Sequence, residues 1–294
     1  MNLEPKPFNS KPETLNPEPL SIGFSPCPND TYIFYALVHG LVLLRHIAFT
    51  EPVSADVEQL NRWAMQGRLD VTKLSFHALG HLLDDYVMLT AGAALGRGCG
   101  PLLVSADASF RVDEKSCIAI PGTYTTAALL LRLFAPEVTR TVVMRFDEIM
   151  EAVQNGTVDG GVIIHEGRFT YQDLGLFCLQ DLGLWWEEET GFPIPLGCIG
   201  VRASLPAQVQ GEINQGIKKS LQWIRHHPGR GQEYIREYAQ ELDDRVLASH
   251  IDLYVNDFSL QLGDEGIGAV QELLRRGRMQ GLFPKSGKLR WIAS

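Results

Sequence analysis

Short apolar runs that stop at a polar turn and pass at once into helix-patterned sequence recur along this chain, and that alternation restricts it to an α/β architecture. Leu69–Ser75 has strand character, and Phe76–Leu83 follows directly as helix. Ser116–Ile120 with Thr125–Phe134 repeats the unit, and a helix over Asp147–Asn155, closed by Gly156, leads into a strand over Val158–Ile164. Earlier, a strand over Leu20–Phe24 and a proline-rich turn precede a helix from Asp30 to His39, with Asp30 or Thr31 as N-cap and Gly40 as the stop. Val57–Gln66 is amphipathic and ends at Gly67. Such βαβ units predict mainly parallel sheets.

Two segments resemble each other: Gly98–Ser105 and Leu196–Ser204 each bring glycine into an apolar strand with a polar stop. As a pair of crossover strands they predict two lobes, with residues 20–98 and 200–294 forming a discontinuous terminal lobe and 99–199 an inserted middle lobe. A ligand cleft between hinged lobes follows from that plan. Helical patterns at Gln208–His226, Gly231–Gln240, Asp243–Tyr254 and Asp264–Arg275 belong with the terminal lobe. Met1–Pro19 is expected to be a disordered extension, since five prolines among polar residues leave little apolar area to bury.

The 294 residues suffice for about two domains. A net charge of -9 with no clustered Lys and Arg argues against a nucleic-acid partner. No apolar run reaches bilayer-spanning length and the N-terminus lacks a secretory pattern, so a cytoplasmic protein is expected, with self-association as a homodimer left open. Five scattered cysteines without a Cys-x-x-Cys pair read as reduced thiols. No glycine pattern for a dinucleotide or phosphate loop occurs, and no Gly-x-Ser-x-Gly. His77 and His81, with Asp85 one turn on, lack the further ligands a metal needs.

Four loops at element junctions carry the chemistry. The apolar run Gly160–Ile164 delivers His165 into a polar loop with Glu166, Arg168 and Tyr171. Loops beyond strand carboxyl ends border clefts in open α/β sheets, and imidazole titrates near neutrality, so His165 is the candidate proton acceptor. A capped or solvated loop residue is the plainer alternative, as surface pairing is for Arg168 and Tyr171. Ser25-Pro26-Cys27-Pro28-Asn29-Asp30-Thr31 presents Ser25, Asn29 and Asp30 at a helix start that is either a rigid turn or a ligand contact. Period-two alternation puts Lys73 and Ser75 on one strand face, and Thr125 and Thr126 open a helix where they serve as cap, as ligand contact, or as both.

Together the four loops, Ser25–Thr31, Thr72-Lys73-Leu74-Ser75, Thr125-Thr126 and Ile163-Ile164-His165-Glu166 with Arg168–Tyr171, resemble the 1,4-dihydroxy-6-naphthoate synthases of the futalosine route to menaquinone. Ala94–Gly98, Asn61–Trp63 and Tyr254–Asn256 also fit, while the N-terminal segment and the apolar Leu41–Ala48 depart from the family. The resemblance implies a two-lobed fold like type II periplasmic binding proteins and an enzyme without metal or organic cofactor. It implies a small-molecule substrate, cyclic dehypoxanthinyl futalosine, cleaved at a carbon–carbon bond to 1,4-dihydroxy-6-naphthoate and dihydroxyacetone. By the same carry-over His165 accepts the proton, and Lys73, Leu74, Ser75, Thr125 and Thr126 bind substrate. A solute-binding protein of the same fold and the related chorismate dehydratase are the competing readings.

Overall fold

A computed structural model of the chain describes residues 18–239, 243–284 and 287–292; the proline-rich stretch expected to be disordered lies almost wholly outside them. In chain order the elements are β1 (Ile22–Phe24), α1 (Pro28–Val38), β2 (Val53–Ser54), α2 (Val57–Met65), β3 (Val71–Ser75), α3 (Phe76–His81), β4 (Tyr86–Met88), β5 (Ala94–Gly96) and β6 (Leu102–Ser105). There follow β7 (Cys117–Ile120), α4 (Thr126–Phe134), β8 (Arg140–Val143), α5 (Ile149–Gln154), β9 (Gly160–Ile163), α6 (Gly167–Thr170), β10 (Phe177–Asp181) and α7 (Leu182–Thr190). The chain ends with β11 (Ile194–Arg202), α8 (Ala207–His226), α9 (Gln232–Tyr238), α10 (Asp244–Tyr254), α11 (Asp257–Leu260) and α12 (Gly263–Met279).

The strands form two sheets. One has the order β2-β1-β3-β11-β4, with β5 also on β11; the other has the order β10-β6-β9-β7-β8. Both are mixed, where alternation alone predicted mainly parallel pairing. β1 lies parallel to β2 and β3, and β7 to β8 and β9, but β11 is antiparallel to β3, β4 and β5, and β6 to β9 and β10. The antiparallel members are those next to the passages between sheets, where the chain returns instead of crossing over through a helix. β11 lies whole in the first sheet, so the sheets part before Ile194 and not at the expected division between residues 199 and 200.

The outward passage needs glycine. Gly98 has φ +64, and a Cβ on Gly100 would stand 2.3 Å from the Gly183 backbone at the start of α7. One hydrophobic core runs through both sheets, joining Leu74, Phe76 and Met88 to Ile118, Leu129 and Val162. A second lies under α8, whose Val209, Ile213, Ile217, Leu221 and Ile224 form a buried stripe at helical spacing facing Ile33, Phe34 and Leu37 of α1. Among the described residues no helix is long and apolar enough to cross a membrane.

Candidate functional site

β1, β3, β7 and β9 end near one another, and the loops leaving them border a single cavity of about 640 Å³, part of it open to solvent. Ligands lodge at such carboxyl ends because the loops there diverge over two faces of the sheet.

Its charged floor comes from the first loop and β3. Helix α1 starts at Pro28, two residues earlier than expected, because proline suits the first helical position and Cys27 takes the cap position without a side-chain bond. Asp30 therefore sits inside the first turn, where the helix dipole favours a carboxylate. Its Oδ2 accepts hydrogen bonds from Ser25 Oγ at 2.7 Å and Ser25 N at 3.3 Å, and its Oδ1 accepts one from Asn29 Nδ2 at 3.0 Å. Lys73 Nζ pairs with the same Oδ1. The side chains are 7% and 1% exposed, so the pair is held out of water and each charge depends on the other. Among the described residues Asp30 is the one hydrogen-bond partner of the Lys73 ammonium, whose remaining N–H groups border the cavity.

Opposite stands His165. It is the only non-glycine residue at positive φ, +56°, among the described residues: the chain must turn within the three residues between β9 and α6, and His165 takes the left-handed conformation. A side chain in that region costs about 1–3 kcal/mol and persists only where its surroundings impose it. The ring meets Phe146 edge-on with centroids 5.0 Å apart and lies nearly parallel to His250 at 6.0 Å. Cys27 Sγ is 3.6 Å from Nε2, and burial pushes that thiol's pKa up, so it stays protonated. Burial lowers the pKa of His165, opposed by the carboxylates of Glu166 and Asp30 and assisted by the Lys73 charge. The imidazole is neutral at pH 7, with two carboxylates ready to stabilise a proton it accepts.

Between floor and roof lies a hydrogen-bonded junction of the two sheets. Thr125 caps α4, accepting from Ala128 N at 3.2 Å, and its hydroxyl donates to Gly122 O at 2.9 Å. Thr126 Oγ1 donates to Leu196 O at 2.5 Å and accepts from Phe76 N at 3.0 Å. Asn61 grips Ser75 twice, Nδ2 to Oγ at 3.1 Å and Oδ1 from N at 3.0 Å, and also donates to Tyr124 O. Nδ1 of the buried His77 donates to Thr125 O at 3.1 Å; burial pushes its pKa down to about 4.

The cavity thus gathers Ser25, Asn29, Asp30, Lys73, Ser75, Thr125, Thr126 and His165. Three further candidates stand apart. Leu74 points the other way along β3, fully buried in the core. Arg168 donates to Gly100 O at 2.6 Å and to Asp181 Oδ2 at 2.5 Å, bracing the passage between sheets. Tyr171 borders a separate surface groove with Phe177. Sequence reasoning singled out neither His250, whose Nε2 is 3.1 Å from Asn29 Oδ1, nor Tyr254 as a site residue, though both line the cavity from α10. The only sequence signal for them was the fit of Tyr254–Asn256 to the family pattern.

Two mixed sheets with a chain passing twice between them and closing on an internal cavity define a two-lobed α/β protein of the periplasmic-binding type. A family model described as menaquinone biosynthesis matches residues 20–279. The chain belongs to that family of menaquinone-biosynthesis proteins. A protein of Thermus thermophilus named 1,4-dihydroxy-6-naphtoate synthase is 47% identical over 269 residues, 92% of this chain and 97% of that protein. One of the same name from Streptomyces coelicolor is 42% identical over 278 residues, 93% and 98% of the two chains. Among solved structures, a protein from Archaeoglobus fulgidus superposes with a TM-score of 0.84 at 36% identity, covering 90% of this chain and 98% of its own. The ligand-binding component of an ABC-type import system from Staphylococcus aureus reaches 0.66 at 14% identity over 91% and 94%, a likeness of fold alone.

Proposed function

We propose that this chain is a carbon–carbon lyase that converts cyclic dehypoxanthinyl futalosine to 1,4-dihydroxy-6-naphthoate and dihydroxyacetone, with His165 as the proton acceptor. The observation that carries this reading is a neutral imidazole held on a left-handed turn over a cavity whose other wall is a buried lysine–aspartate pair. The synthases of Thermus and Streptomyces, alike over nearly their whole length, support the same reaction.

In this reading substrate enters between the sheets and displaces water, which strengthens every electrostatic contact inside. His165 takes a proton from the substrate. The electron pair of the breaking carbon–carbon bond passes into the ring that becomes aromatic, the three-carbon fragment leaves as dihydroxyacetone, and the imidazolium returns its proton to the oxygen of the new aromatic ring. Glu166 and Asp30 stabilise the imidazolium, and the Lys73 N–H groups stabilise negative charge developing on a substrate oxygen. Thr125 and Thr126 contribute mainly through shape and backbone groups, since their hydroxyls already donate to Gly122 O and Leu196 O, while Ser75, whose hydroxyl accepts from Asn61, keeps its O–H to give. A general base contributes about 10²–10⁴-fold, the rest coming from positioning. Cytoplasmic residence suits such a biosynthetic step.

The test is mass-spectrometric product analysis of purified wild type and His165→Ala with cyclic dehypoxanthinyl futalosine. Naphthoate from wild type, and at least about a hundredfold less from the variant, is expected. Intact substrate in both, despite binding, would leave a solute-binding protein.

A further inference from the structure

The described residues contain few buried polar atoms without a hydrogen-bond partner, and one of them, His250 Nδ1, belongs to a side chain that lines the cavity. Its protonation follows from its neighbour. Asn29 gives its amide N–H to Asp30 Oδ1 at 3.0 Å, so Asn29 Oδ1 faces His250 as an acceptor, and the contact at 3.1 Å needs the proton on His250 Nε2. Nδ1 is then a bare lone pair. Burial first, and the neighbouring His165 and Lys73 next, hold the ring's pKa well below the usual value, so Nδ1 stays unprotonated at neutral pH. A buried acceptor left unmet destabilises a fold unless something else meets it. One helical turn on, Tyr254 also lines the cavity, and among the described residues its hydroxyl makes no hydrogen bond. The unmet Nδ1 and a tyrosine hydroxyl with no partner among the described residues thus share one face of α10, four residues apart and with ring centroids 4.6 Å apart.

We propose that His250 is a substrate-binding residue whose Nδ1 accepts a hydrogen bond from a hydroxyl of the bound ligand. The chemistry selects the ligand group. A bare, unprotonated lone pair can accept but not donate, so it repels an anionic carboxylate and attracts an O–H donor, and His250 faces the polyol part of the substrate and not its carboxylate end. This rests on the reaction proposed above, in which hydroxyl groups end on dihydroxyacetone. Asn29, donating to Asp30 and accepting from His250, ties this contact to the Lys73–Asp30 pair.

Glutamine and asparagine separate the two ring nitrogens. A glutamine amide reaches the Nε2 position and keeps the bond to Asn29 but removes the Nδ1 acceptor; an asparagine oxygen sits near Nδ1 and forfeits the bond to Asn29. Calorimetric titration of cyclic dehypoxanthinyl futalosine into His165→Ala protein, alone and with His250→Gln or His250→Asn, reads binding without turnover. The expected result is about tenfold weaker binding with His250→Gln and a smaller loss with His250→Asn, in proteins of native circular dichroism. The reverse order, equal losses or no loss would show that His250 serves only Asn29 or nothing, and would overturn the inference while leaving the proposed reaction standing. Failure of the His165→Ala parent to bind, alongside a wild type that makes no naphthoate, would overturn both.

Discussion

The two walls of the cavity are held in place by different physics. The wall built on α1, β3 and α10 is a network: Ser25, Asn29, Asp30, Lys73 and His250 fix one another by charge and hydrogen bonds. The wall built on β9 and α6 offers His165, fixed by a backbone turn and by ring contacts with Phe146 and His250. A network cannot lose a member without stranding another, whereas a residue on a strained turn can be exchanged and leave the rest in place. The first wall should therefore answer to mutation mainly in stability, the second mainly in turnover.

Lys73→Met gives the largest stability effect. It leaves Asp30 as an unpaired buried charge, and breaking such a pair costs about 3–5 kcal/mol. Chemical denaturation should show that loss, and replacing Asp30 by Asn in the same chain should recover part of it. A loss below about 1 kcal/mol would mean that water reaches the pair and that the wall is no network.

Acid should weaken the fold next, through histidines in and around both walls. His77, His81, His165 and His250 all have pKa values lowered mainly by burial. A histidine whose folded pKa lies below its unfolded value of about 6.5 binds fewer protons when folded, so its stabilisation is complete above that pH and is lost as pH falls through the window below it. For His77 the window reaches down to about 4. At about 1.4 kcal/mol per unit it alone amounts to up to roughly 3 kcal/mol. Melting temperatures should fall between pH 6.5 and 4, and His77→Phe should flatten that slope. An unchanged slope would show that His77 titrates normally.

A methyl group at the edge of the wall comes third. A Cβ on Gly197 would stand 2.8 Å from Leu74 O and 3.2 Å from Lys73 Cε. The backbone oxygen cannot move without shifting β3, so Gly197→Ala should destabilise by about 1–3 kcal/mol and raise KM by displacing Lys73. Unaltered KM with lowered stability would place the strain on the sheet alone.

How much of this was legible in the sequence depended on whether the signal was local. The loops after β1, β3, β7 and β9 announce themselves because an apolar run, a polar stop and a helix start lie within ten residues, and they led to Asp30, Lys73, Thr125 and His165. Residue patterns could not give the direction in which a strand joins its sheet, which is why β11 and β6 run against the parallel expectation. Nor could they give His250. In the amphipathic pattern of α10 it is one more buried position beside Leu247 and Tyr254, and only folding brings it to Asn29, 221 residues away in the chain. The start of α1 was misread for a smaller reason: Asp30 looked like a cap, but Pro28 had already begun the helix.

The smallest effect tests the second wall most directly. Replacing His165 by alanine or by glycine removes the same imidazole, the same contact with Phe146 and the same proton acceptor, so both variants should lose turnover alike. They differ in what the backbone must bear. At right-handed or extended positions alanine is the more stable choice by about 0.5–1 kcal/mol, because glycine loses more freedom on folding. At φ +56° the order should invert, since a Cβ there meets the following carbonyl at a cost of about 1–2 kcal/mol. Urea denaturation should thus find His165→Gly more stable than His165→Ala by up to about 1 kcal/mol. If alanine proves the more stable, the turn relaxes once the ring is gone, and it is the contacts of the imidazole with Phe146 and His250, not the chain, that hold the base in place.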